Sequence, residues 1–165
     1  MNNRTLRGAL GLAAAALVYA QPASAAMSCW DEQETAAAKI RDLQSRLMVA
    51  TLRCRAMGID VLTAYNEFIR INRSALQQAN GVIKAQFDQG YGPEGTRFYD
   101  SFTTAMANEY GGDATSFEVC EETAAIAAEA AAADGDVAIL VELADRTGRS
   151  PNLPGGVCPV SLTVR

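Results

Sequence analysis

The stretch VIKAQFDQGYGPEG, residues 82–95, decides the fold, because its last six residues carry the Gly-x-Gly-x-x-Gly spacing of a dinucleotide-binding loop at Gly90, Gly92 and Gly95. Such a loop works between a buried strand and a helix whose amino-terminal amides face the pyrophosphate, with an acidic residue about 20 positions later for the ribose. Here the preceding residues are amphipathic at helical spacing, with Ile83 and Phe87 one turn apart, and no strand–helix–strand unit surrounds them. The glycines read instead as a helix-to-helix turn. Gly90 serves as the helix cap, Gly92 supplies a positive backbone angle, and Pro93 opens the next helix. This reading excludes a Rossmann unit and predicts a helical hairpin.

Working outward, the helix before the turn starts near Asp60 as cap and runs to Gln89, with Leu62, Tyr65, Ile69, Asn72, Leu76, Ala79, Ile83 and Phe87 as one seam. The helix after it spans about Glu94 to Tyr110, with Phe98, Phe102, Ala105 and Met106 inward. Upstream, Ile40, Leu43, Leu47, Ala50, Cys54 and Met57 mark a first helix of about 26 residues, with acids at its start, Arg53 and Arg55 at its end, and Gly58 as its stop. Downstream, Thr115 and Glu118 make a capping box for an alanine-rich helix to Ala133, and a last helix places Val137, Leu140, Val141 and Ala144 inward. The tail 150–165 is rich in proline and glycine and reads as extended, with Val160, Leu162 and Val164 alternating as a short strand.

Short links between long helices predict an all-α, up-and-down bundle of four to five antiparallel helices. That topology sorts the four cysteines. Along a continuous first helix Cys29 and Cys54 would stand about 37 Å apart, whereas a disulfide needs alpha carbons within roughly 7 Å. Alternating helices bring Cys54 level with Cys120 and leave Cys29 for Cys158 on the returning tail, so the expected pairs are Cys54–Cys120 and Cys29–Cys158.

The amino terminus, with Arg4 and Arg7 before the uncharged run 8–20 and small residues at Ala23 and Ala25, reads as a signal peptide over 1–25. The run is too short to cross roughly 30 Å of hydrocarbon. A single helical domain over 26–165 is expected, in the periplasm or secreted, where an even cysteine set forms disulfides. The full chain has 14 basic and 19 acidic residues, and removing the two leader arginines leaves a formal charge of −7. An acidic chain of this kind is a poor partner for nucleic acid or anionic membranes.

The chain has no histidine. This removes Ser/His/Asp and Cys/His catalysis, histidine zinc sites and histidine-ligated haem. No Cys-x-x-Cys is present either, and no cofactor is expected. The acids Asp113, Glu118, Glu121 and Glu122 read as helix-start charges rather than calcium ligands, and arginines 46, 53 and 55 as a solvated face. Trp30 is expected to pack over the disulfide of its neighbour Cys29. Asn72, a polar group on an apolar seam, reads as a buried asparagine that fixes helix register, with a pocket between helices formed by Tyr65 and Asn72 as the competing reading.

The segments SCW (28–30), LMVATLRCR (47–55), AYNEFIRINRSAL (64–76) and PGGVCPV (154–160) resemble a family of small exported four-cysteine bacterial proteins of unknown function. The resemblance spans nearly the whole mature chain and implies a helical, disulfide-bonded exported protein. Members often carry the label S-adenosyl-L-homocysteine hydrolase. The enzyme properly so called has a Rossmann domain with NAD and catalytic histidines, and none of its residues maps onto a position here. Two functions follow as expectations: an exported binding or interaction protein with a protein or small-molecule partner in the periplasm, or a hydrolase using the carboxylates Glu94, Asp100 and Glu109.

Overall fold

The computed structural model of the 165-residue chain describes residues 27–146 and 149–159; the signal peptide read over 1–25 and the alternating Val160, Leu162 and Val164 lie outside the described residues. The described chain is all-α, built from α1 (Glu32–Ala56), α2 (Leu62–Ile71), α3 (Arg73–Tyr91), α4 (Gly95–Gly111), α5 (Phe117–Ala132) and α6 (Val137–Arg146). No helix among the described residues is long and apolar enough to cross a membrane.

α1 begins in a full capping box, with Asp31 accepting from the Glu34 amide and Glu34 accepting from the Asp31 amide, and it ends before Gly58, which has a φ of 78°. The single seam expected for it is too narrow. α1 is the central helix and packs against all five others. It therefore buries Ala37, Ala38, Asp42, Ser45 and Thr51 beside Ile40, Leu43, Leu47 and Cys54, while Met57 is exposed. Alanines and short polar residues on its flanks leave room for neighbours on several sides.

The expected second helix is broken at Asn72, whose φ of −90° and ψ of 16° separate α2 from α3. The break lets one rod serve two partners: α2 packs on α5 and α3 on α1. Asp60 still anchors the start, accepting from the Thr63 amide at 3.3 Å and the Thr63 hydroxyl at 2.8 Å.

In the 90–95 turn, Gly92 is the cap of α3 with a φ of 54°, not Gly90, which lies buried inside the last turn of α3 against Met27. A 3-10 turn over Gly92–Glu94 contains Pro93, and α4 follows. Gly95 is the residue the hairpin cannot replace, since a Cβ there would lie 2.7 Å from the Asp88 Cα.

α5 is capped by Ser116, accepting from the Val119 amide at 3.2 Å, rather than by Thr115 with Glu118. Asp136 caps α6 through the amides of Ala138 and Ile139. On α6 Leu140, Leu143 and Ala144 face the core, whereas Val137, at the start of the helix, is 48% exposed.

Both disulfides form as the topology requires. Cys54–Cys120 joins α1 to α5 with a Cα separation of 5.6 Å, inside a small apolar cluster with Val61, Ile59 and Ala124. Cys29–Cys158, at 4.8 Å, ties the segment before α1 to the extended tail.

Candidate functional site

The tail forms a strap over the α3–α4 hairpin. Residues 149–159 carry no helix, so their backbone groups need partners elsewhere. Trp30 supplies three: its amide donates to the Gly156 carbonyl at 2.8 Å, its carbonyl accepts from the Cys158 amide at 2.8 Å, and its indole Nε1 donates to the Pro154 carbonyl at 2.8 Å. The chain crosses closely here. A Cβ on Gly155, whose φ is 84°, would lie 2.9 Å from the carbonyl oxygens of Met27 and Ser28. Gln86, buried on α3, holds the other side of the crossing, donating to the Ser28 carbonyl and hydroxyl at 3.2 Å each.

Under the strap lies a cleft of about 230 Å³. One wall is aromatic, with Phe87 and Tyr91 from α3 and Phe98 and Phe102 from α4; the other is Pro151, Asn152 and Pro154 of the strap. The rings brace one another: Phe87 and Phe102 have centroids 5.2 Å apart, and Tyr91 stacks on Phe98 at 3.8 Å. Trp30 backs this wall, 5.9 Å from Phe87 and 5.8 Å from Phe102. It clamps the strap and supports the rings, a larger role than packing over the neighbouring disulfide. Phe98, Phe102 and Ala105, expected in the core, are half-buried or exposed because the cleft opens along their side of α4.

The acidic side chain in this lining is Glu109. Its carboxylate has no ion-pair or hydrogen-bond partner among the described residues. The nearby arginines are matched elsewhere. Arg149 pairs with Asp113 at 2.8 Å and donates to the Glu109 carbonyl at 3.1 Å, while Arg97 pairs with Glu94 at 2.7 Å.

The other candidate residues lie apart. Glu94, Asp100 and Glu109 do not converge. Nine residues of helix put Asp100 and Glu109 about 13 Å apart along the axis and on opposite faces, beyond the roughly 5–9.5 Å that separates working carboxylate pairs. Asn72 is 0% exposed and fully engaged: its Nδ2 donates to the carbonyls of Phe68 at 3.0 Å and Ala130 at 2.8 Å, and its Oδ1 accepts from the Gly135 amide at 2.8 Å. It pins the α2–α3 break to the end of α5. Tyr65 packs half-buried at the core margin beside Phe68, and burial holds its hydroxyl above the ordinary tyrosine range.

A second polar centre went unread in the sequence. Asp42, on the buried side of α1, accepts the Tyr110 hydroxyl at 2.6 Å. Burial raises the Asp42 carboxyl above its ordinary value, and the Tyr110 bond offsets part of that rise. Burial and the adjacent carboxylate also push the Tyr110 hydroxyl up. A stripe of Ala38, Asp42 and Ser45 at steps of four and three was its signal. Arg53 likewise leaves the solvated face expected for it and donates to the Tyr110 carbonyl at 2.8 Å, capping the end of α4. Among the described residues no cluster of three or more cysteine and carboxylate ligands is disposed to hold a metal ion. Family models, curated proteins and solved structures return no match to this chain, which leaves the cleft to be read from its own residues.

Proposed function

We propose that this chain is an exported binding protein of the periplasm or the medium, and that the cleft beneath the strap holds a small organic ligand. The observation that carries the reading is the build of the cleft: mutually braced rings on one side, a disulfide-tied strap on the other, and one carboxylate at the margin. Ligand pockets are mostly apolar concavities with few polar groups, and this one has that composition. Export is supported by the leader over 1–25 and by two disulfides, which belong to an oxidising compartment.

The cleft volume of about 230 Å³ suits a compact metabolite better than a dinucleotide or S-adenosylhomocysteine. The carboxylate-hydrolase reading has less support, since Glu109 alone of its three acids lines the cleft.

A thermal-shift screen of small metabolites, with S-adenosylhomocysteine and NAD included, tests the proposal on the oxidised protein and on a Cys29→Ser/Cys158→Ser variant. A compound at about 100 times its Kd stabilises the protein by about 2.7 kcal/mol. The expected result is a compound that stabilises the oxidised protein and not the variant. Equal stabilisation of both proteins, or of neither by any compound, rejects the cleft; stabilisation by S-adenosylhomocysteine or NAD supports the enzyme label instead.

A further inference from the structure

We infer that the ligand of this cleft is an organic cation of the alkylated-ammonium class. The inference rests on the cleft being a binding site and adds what it selects. Aromatic faces attract cations through the ring quadrupole, and the contact strengthens as the site is desolvated. One ring of this wall already meets a cation: the Arg97 guanidinium lies 4.5 Å from the Phe98 centroid.

Charge points to the same class. Arg97 and Arg149 are each neutralised by a carboxylate outside the lining, Glu94 and Asp113, whereas the Glu109 carboxylate is unmatched among the described residues. The cleft therefore carries one uncompensated negative charge beside a ring wall. An anion would meet Glu109 without a cation to offset it. A neutral apolar molecule would leave Glu109 unmatched and could cover it only at a desolvation cost. A compact ammonium ion with alkyl groups satisfies the carboxylate and the rings together.

The chain contains its own reporter, because Trp30 is the single tryptophan and touches both Phe87 and Phe102. Titration of the oxidised protein with choline and with its neutral isostere 3,3-dimethyl-1-butanol, followed by Trp30 fluorescence and by calorimetry, tests the inference. Choline is expected to saturate the signal and to bind at least tenfold more tightly than the isostere. Glu109→Gln, at an exposed position that leaves the fold intact by circular dichroism, should weaken choline at least fivefold and leave the isostere unchanged. Equal binding of the two compounds would overturn cation selection while the cleft stands as a binding site. Failure of choline, when another compound from the thermal screen stabilises the protein through the strap, overturns this inference alone. Failure of choline together with every compound of that screen overturns both.

Discussion

Cys54–Cys120 and Cys29–Cys158 sit at opposite ends of the bundle and fasten different kinds of structure. The first links two helices that are already packed, through sulfurs that are fully buried in an apolar cluster. The second is partly exposed and holds an extended segment whose few backbone bonds run mainly to Trp30. One bridge reinforces a contact that packing would favour anyway; the other supplies a contact that packing alone would not keep. Stability is therefore shared between the two ends, whereas the cleft depends on one of them.

Removing each bridge in turn is the strongest way to break this comparison. Loop entropy gives an upper loss of about 5 kcal/mol for Cys29→Ser/Cys158→Ser and about 4 kcal/mol for Cys54→Ser/Cys120→Ser. Urea denaturation should show both losses, and ligand titration should separate them: the strap variant loses the cleft, while the helix-linking variant keeps it at temperatures where it is folded. If the second variant also loses binding, the two ends are coupled through the bundle and the contrast fails.

Asn72→Ala comes next, at about 3 kcal/mol, because it deletes the partners of the Ala130 carbonyl and the Gly135 amide inside the core. Chemical denaturation measures it, with cleft affinity unchanged. Gly155→Ala should cost about 1–3 kcal/mol of backbone strain and crowding confined to the strap. Hydrogen exchange checks this locally: the Trp30 and Cys158 amides exchange faster while the amides of α1 and α3 do not.

The Asp42 pair offers a pH test at the helix-packed end. Its carboxyl is held above the ordinary 3.8 by burial, so the fold prefers the protonated form. That contribution is complete below about pH 4 and is lost as pH rises through the raised folded value. Asp42→Asn keeps an acceptor for Tyr110 and removes the ionisation; denaturation midpoints from pH 4 to pH 7 should fall less in the variant than in the parent. Smallest is Ser45→Ala, which removes a buried hydroxyl with no partner on α1 and should raise stability by up to about 1 kcal/mol.

The helices were legible because periodicity and punctuation agree in this chain: Gly58, the 90–95 turn and the Asp134–Asp136 break each end a clear apolar pattern. The pairing of cysteines was legible because helix length turns sequence distance into spatial distance. The break at Asn72 was not, since nothing in IRINRSA interrupts helical propensity; the kink is imposed by tertiary bonds to Ala130 and Gly135. For the same reason Asn72 as a staple was one of two open readings, and its use in a pocket was the other. The cleft was half visible. Phe98 and Phe102 were read as inward, but that they face a strap rather than another helix depends on where residues 151–154 return, which follows from the Trp30 crossing and not from local pattern.

The connectivity also has a consequence in time. The Cys54–Cys120 loop lies wholly inside the Cys29–Cys158 loop in sequence, so both cysteines of the inner bridge are synthesised before Cys158. A chain emerging from its amino terminus can close the bridge between α1 and α5 before it can tie down the strap. The strap is therefore drawn over a cleft wall, made by α3 and α4, that precedes it in the chain.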